Sequence, residues 1–284
     1  MANPLEQSIL SAVKANSTIG DSFARIGTKD HPRGLVMTAY RNAQRAMAQA
    51  LGESFPLPSV IEVMDGLTSN LQAGLRDELQ DMYNFGQDEA ARQLEFYGIE
   101  PPDNRANPYS SQVEAAVAAC IAKANSQSST IRALVLTGAS PEQILGGETR
   151  VGILRPTDVT NTAAYWTAAM VGAGFEWLVA QQQTNTSFSK QVVAGLDNRT
   201  TDCCLRAHGQ IKPLNKKFTL VGEPRFADEL DWTPFHYYCR SSVALYLSEY
   251  DYGITQRMRN SASTILSERA AGLFIDRDPA NAFG

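Results

Sequence analysis

The run from Ser59 to Tyr97 constrains this chain more than any other feature. Met64, Leu67, Leu71, Leu75, Leu79, Met82, Ala90, Leu94 and Tyr97 fall at spacings that line one face of an α-helix. Ser59 followed by Glu62 has the form of a capping box, in which each side chain satisfies a backbone N–H of the first turn. Gly98 and the Pro101-Pro102 pair close the run. The pattern predicts a helix of roughly 35 to 40 residues, about 55 Å long at about 1.5 Å per residue. Such a length suits a bundle or an extended assembly surface better than a compact enzyme core.

Other helices flank it. Leu35, Val36, Ala39, Tyr40, Ala43, Met47 and Leu51 mark one between Pro32 and Leu51, ended by Gly52. Ser111 with Glu114 opens another, whose buried face would be Val113, Val117, Cys120, Ile121 and Ala124. Ser140-Pro141-Glu142-Gln143 starts a short one, and Thr157 to about Val179 supplies a further helix with Trp166, Met170, Phe175 and Leu178. After residue 184 the texture changes. Ser187 to Leu196, Lys217 to Val221 and Ser242 to Tyr246 read as strands separated by Gly and Pro turns. A last helix is expected from Ile254 to Leu273, followed by the polar tail Asp276 to Gly284.

A chain of 284 residues exceeds the usual single-domain size, so two compact units, or one domain with a long helical extension, are expected. The best boundary is the loop from Ile99 to Ser110, with its three prolines and two asparagines. The expected fold class is α+β and predominantly helical: a helical N-terminal half with the long helix, then a small mixed α/β C-terminal module with a Cys/His cluster. The expected divisions are 1–105 for the helical region, 106–253 for the module and 254–284 for the last helix and tail.

Charge narrows the partners. With 25 Lys+Arg against 30 Asp+Glu the net charge is -5, and no basic block interrupts the chain, so general attraction to nucleic acid or anionic membrane is not indicated. No apolar run reaches the ~18 residues of a membrane span, and the first residues lack a signal-peptide layout. A cytosol-like compartment is expected. Four cysteines are too few for a disulfide scaffold, which favours free thiols or metal ligands.

Chemistry concentrates in one window. Cys203, Cys204, His208, His236 and Cys239 lie within 37 residues, as the close pairs Cys204-x3-His208 and His236-x2-Cys239. Each pair has the short spacing by which one turn presents two ligands to tetrahedral zinc. The competing reading has the thiols filling a small core and the histidines bonded to carbonyls. Asp197 and Arg199, two residues apart at a strand end, are read as fixing a turn rather than as catalytic. Arg240 either pairs with Asp197 or contacts a partner. His31 is expected in an exposed turn, Cys120 in the core of its helix, and Gly146-Gly147 is too short to cradle a phosphate.

Around this window the stretch Asp197-Asn198-Arg199-Thr200, then Cys204 and Gly209, and later Pro234-Phe235-His236-Tyr237-Tyr238-Cys239-Arg240, resembles the Mu F-like minor head proteins of tailed bacteriophages. That family typically carries D-x-R-T-C-x-x-C-x-x-x-D-G followed by P-x-H-x-N-C-R-C. The chain departs from the pattern at Thr201 and Ser241, where the family has cysteines, and at His208, where it usually has aspartate. The joint loss of the two cysteines suggests that those positions face each other in relatives that keep both. A site of Cys204, His208, His236 and Cys239 would still offer four ligands, with Cys203 as a spare thiol exchangeable with Cys204. The motif residues span roughly 45 positions, and the first hundred residues carry none of them.

The resemblance implies a structural head protein at the portal vertex, acting in head assembly and in DNA packaging or ejection. Its partners would be the portal protein and other head proteins, in multiple copies per virion and with possible contact with packaged DNA. Assembly would take place in the host cytoplasm. Two rivals stand beside it. A zinc-dependent hydrolase needs an open coordination position and a base such as Asp197 or Asp202. Four protein ligands would close the sphere, and the sequence has no H-E-x-x-H, so the chain is expected not to be an enzyme. A DNA-contacting head protein could use Lys212, Lys216, Lys217, Arg225 and Arg240, but Glu223, Asp228, Glu229 and Asp231 oppose them. A fused toxin or transferase domain is not expected in the 45 residues that follow Cys239.

Overall fold

The computed structural model describes residues 2–27, 34–53, 56–103, 110–147, 150–182, 186–222 and 227–273. His31, Glu223, Arg225 and the tail from Asp276 lie outside them. The protein has a predominantly helical N-terminal region and a smaller mixed α/β C-terminal module. Its helices are α1 (Pro4–Ile26), α2 (Leu35–Ala50), α3 (Pro56–Phe96), α4 (Ser110–Leu136), α5 (Pro141–Leu145), α6 (Thr157–Ala180), α7 (Asp202–Ala207) and α8 (Ile254–Ala270). Its strands are β1 (Gly146–Gly147), β2 (Arg150–Val151), β3 (Ser189–Val193), β4 (Ile211–Pro213), β5 (Phe218–Thr219), β6 (Glu229–Leu230) and β7 (Ser242–Tyr246).

The long helix exists, at 41 residues, but it begins differently. Pro56 takes the first turn, where a missing N–H costs nothing, and Ser59 lies inside the helix with its hydroxyl bonded to Glu53. The box expected at Ser111 and Glu114 does not form either. α4 starts at Ser110, and Glu114 instead makes a two-pronged bond with Arg76 at 2.6 and 2.8 Å. Ser140 and Gln143 do form a capping box at the start of α5. α1 and α7 have no counterpart among the helices singled out by periodicity.

The chain divides into two compact units built from separated segments: Met1–Asp21, Asp81–Ala106 and Thr167–Gly284 in one, Ser22–Gln80 and Asn107–Trp166 in the other. The second is a helical assembly. Val36, Tyr40, Ala43 and Met47 of α2, Met64, Leu67, Leu71, Leu75 and Leu79 of α3, and Val113, Val117, Cys120 and Ala124 of α4 are all buried. These are the apolar stripes of the sequence, and at about 25 cal/mol per Å² their burial dominates what holds the unit together.

The first unit is organised around a three-stranded antiparallel sheet in the order β4-β3-β7, with Val192 opposite Val243 and Gln191 opposite Ala244. Both faces of the sheet are covered, which explains why β3 lacks an exposed alternate face. Val193 and Ala244 pack with Leu5, Ile9 and Val13 of α1 and with Ile254 and Met258 of α8. Val192 and Val243 point the other way, into a cluster with Cys203, Cys204, Phe218, Phe235 and Cys239. The outer edge of β7 is closed by α3: the Gln93 amide accepts from Leu245 N at 2.7 Å and donates to Val243 O at 3.3 Å, while Tyr97 donates to Leu245 O at 2.8 Å. Two glycines let α3 and α6 meet backbone to backbone. A Cβ on Gly86 would lie 2.1 Å from Val171 O, and one on Gly174 2.0 Å from Tyr83 O.

Candidate metal centre

After β3 the chain turns at Asp197, whose Oδ1 accepts from the N–H groups of Arg199 (2.9 Å) and Thr200 (3.0 Å) and from the Thr200 hydroxyl (3.0 Å). An aspartate that bonds its own backbone two and three residues on is the ordinary way to fix such a turn. Arg240 reaches the same oxygen at 2.6 Å. Burial alone would raise the Asp197 pKa, but the Arg240 guanidinium and the Thr200 and Arg199 donors outweigh it and hold the carboxyl below its usual range. Arg199 supplies a backbone N–H to this turn and is one of the residues lining a crevice described below. Asp202, the other candidate base, pairs with Arg269 at 2.9 Å.

Thr201 then caps α7, which places Cys203 and Cys204 in the buried core. From the far side, the turn Pro234 to Cys239 brings in His236 and Cys239. Sγ of Cys204 lies 3.1 Å from Nε2 of His236 and 3.8 Å from Sγ of Cys239. Oγ1 of Thr201 lies 2.9 Å from the same Nε2 and 3.1 Å from Sγ of Cys203. The donor atoms of Cys203, Cys204 and His236 all fall within 4.8 Å of one another, a Cys2His group able to hold a metal ion.

The imidazole is oriented for this role. Nδ1 of His236 lies 2.6 Å from the Tyr237 carbonyl oxygen, which can only accept. The proton therefore sits on Nδ1, and Nε2 is turned toward the thiols, the arrangement by which outer partners set a ligating histidine. The spacing also fits. Two sulfurs each about 2.3 Å from a tetrahedral zinc would be about 3.8 Å apart, the distance between Cys204 and Cys239.

The thiols share their protons unequally. Burial would raise Cys239, but hydrogen bonds from Cys204 and His236 and the imidazolium charge hold it well below the usual thiol range. Cys204 is pushed well above it, chiefly by its hydrogen bonds with Cys203 and Cys239. Cys203 drops to about 6 through its hydrogen bond with Cys204. Burial opposes charge on His236, yet the Cys239 thiolate more than compensates and raises its pKa. Cys120, remote in α4, is pushed up to about 12 by burial. All four cysteines are free thiols.

His208 stands apart from the group. It caps the C-terminus of α7, and its Nδ1 accepts the Ala194 N–H at 3.0 Å, tying the helix back to the end of β3. Gly209 follows with φ +75°, a conformation that favours glycine, and its carbonyl accepts from Arg259 at 3.0 and 3.2 Å. Cys203, read from sequence as the spare thiol, is inside the group. The signal for it was weak, because adjacent cysteines are indistinguishable until a helix gives each a direction. Thr201 and Ser241 line one crevice together with Gly195, Arg199, Thr200, Cys204, His236, Tyr238 and Arg240. The crevice offers about 10 Å³, space for one water.

The expectation that the chain is not an enzyme has to be corrected. It rested on four protein ligands closing a coordination sphere, whereas the compact group is a triad, Cys203, Cys204 and His236, beside an opening. Cysteine and imidazole donors that converge beside a crevice give the group a capacity for cofactor binding or catalysis. Compared with known proteins, the chain matches no family model, no curated protein and no solved structure. Among the described residues, no helix is long and apolar enough to cross a membrane.

Proposed function

We propose that the Cys/His centre binds one zinc ion and that the chain is a minor head protein of a tailed bacteriophage, of the Mu F-like kind. The metal half is carried by one observation: buried sulfur and imidazole donors converge, with Cys204 and Cys239 at the sulfur–sulfur spacing of a tetrahedral site and the His236 proton placed on the outer nitrogen. Zinc would be held by His236, Cys204 and Cys203 or Cys239, and its binding would offset the small core of the module. Elemental mass spectrometry of the purified protein tests it. One zinc per chain, lost in Cys204→Ser, is expected; metal-free reduced protein would sink it.

The head-protein half is supported by the ordered motif from Asp197 to Arg240 and by a helical region of the length such assemblies use. On this reading the portal protein and other head proteins are the partners, several copies enter each virion, and the protein acts in assembly and in DNA packaging or ejection. Mass spectrometry of purified particles and of their precursors tests this. Absence of the chain from both would end the proposal. Contact with packaged DNA, if part of the role, would appear as a salt-dependent shift of short duplexes.

A second reading, a zinc-dependent hydrolase, is favoured by the crevice at Cys204 and His236. Zinc with three protein donors supplies Lewis acidity at its open position. The chain's own residues would orient a substrate through the Thr201 hydroxyl and the guanidinium groups of Arg199 and Arg240, whose charge suits an anionic group. Turnover of simple esters or phosphodiesters that a chelator abolishes would establish it. Metal-loaded protein inert toward both classes would remove it.

A further inference from the structure

The crevice and the thiols behind it support a covalent modification site. Among the three clustered cysteines, Cys204 is the one that lines the crevice. Cys239 is fully buried, with its Sγ 3.8 Å from that of Cys204. A disulfide needs about 2.05 Å between sulfurs, so the pair has to close by less than about 2 Å. Cys203 is a poorer partner, because neighbouring helical residues diverge by about 100° and joining them distorts the peptide bond between them. Its Sγ is also held against the Thr201 hydroxyl at 3.1 Å.

We propose that Cys204 and Cys239 form a redox pair, in which a small peroxide enters through the crevice and the two thiols close to a disulfide. The Cys204 sulfur gives up its proton and attacks one peroxide oxygen, breaking the O–O bond and leaving Cys204 sulfenic acid, while the other oxygen takes that proton and departs as water. The Cys239 sulfur then attacks the Cys204 sulfur, forming the S–S bond and expelling the sulfenic oxygen, which leaves as water. Overall two thiols lose two electrons and two protons, and one peroxide becomes two waters. Size biases the oxidant: a crevice of about 10 Å³ favours the smallest oxidants, such as a peroxide, over a tripeptide disulfide. The consequence for metal rests on the zinc reading above. Oxidation removes the Cys204 donor, and Cys239 with it where that is the second sulfur ligand, so the centre would report oxidant as loss of zinc.

The test uses the full chain as purified. It is exposed separately to hydrogen peroxide and to oxidised glutathione, then alkylated and mapped by mass spectrometry, while a zinc indicator follows metal in the same sample. Peroxide should join Cys204 to Cys239, at least about tenfold faster than oxidised glutathione does, and Cys120 should stay unoxidised. Cys203→Ser should still form the bond, and Cys239→Ser should stop at a Cys204 sulfenic acid that dimedone captures. Peroxide that leaves both thiols reduced, or that joins Cys203 to either, overturns the proposal. Protein that carries no zinc at the outset removes the metal reading alone, and the disulfide map still decides the thiol pair.

Discussion

The unit Ser22–Gln80 with Asn107–Trp166 and the unit that holds the Cys/His centre solve the folding problem by different means. The first spreads its stability over many interchangeable contacts, with leucine, methionine and valine at helical spacing on α2, α3 and α4. The second concentrates it. One turn hinges on Asp197, one helix is tied back through His208, and three thiols and an imidazole occupy the space where a larger protein would place aliphatic residues. Diffuse contacts tolerate substitution, whereas concentrated polar ones fail when one member is lost.

The comparison breaks first at the proposed zinc site. Chelation, or His236→Ala, is expected to unfold or loosen residues 185–250 while the helical unit keeps its hydrogen-exchange protection. Structural zinc contributes on the order of 10 kcal/mol of apparent binding energy in small modules, so the separation should be unmistakable. Cys204→Ser and His236→Ala that both melt like the parent would end the ligand assignment.

Leu71→Ala in the helical unit is expected to cost about 2–5 kcal/mol by cavity formation. Zinc content should be unchanged, and loss of metal would show that the two regions do not fold independently. Gly174→Ala drives a methyl into the Tyr83 carbonyl and should cost about 1–3 kcal/mol. Crowding there is relieved only by moving α6, so a neutral result would contradict the close approach of α3 and α6.

The smallest effect is the pH dependence of two ion pairs. The folded Asp197 pKa lies below the ordinary value of about 3.9. Its contribution is therefore fully present above about pH 4 and lost as pH falls through the depressed folded value. Arg240→Gln should flatten that acid limb in the unit holding the centre. Arg76–Glu114 is largely exposed, and Arg76→Gln should leave the unfolding curve nearly unchanged. Equal effects from both variants would erase the distinction between concentrated and diffuse regions.

Local pattern was legible to different depths in the two regions. α2, β7 and α8 appear where periodicity and turn residues put them, since a stripe of apolar side chains fixes both period and buried face. The caps at Ser59 and Ser111 did not form, because Glu53 and Arg76 compete for the same groups. α1 was not singled out although its face is fully used, its partners being residues of β3, β7 and α8 nearly two hundred or more positions away. Lys190 is a sharper case. A lysine in a strand reads as a solvent-facing position, yet it is buried, donates to Asp231 O at 2.5 Å and lies over the Phe218 and Trp232 rings. Burial accordingly pulls its pKa down.

By itself the sequence determined the helical class, the long helix, the small mixed module and the gathering of soft ligands into one window, because each follows from composition and short-range spacing. Only the tertiary structure decided which of those ligands meet. That Cys203 joins Cys204 in the group, and that His208 turns to the Ala194 amide, are matters of direction in space. Direction is set by how α7, the Asp197 turn and the segment from Pro234 to Cys239 pack on one face of the sheet, a relation between residues 35 and more positions apart that no local pattern encodes.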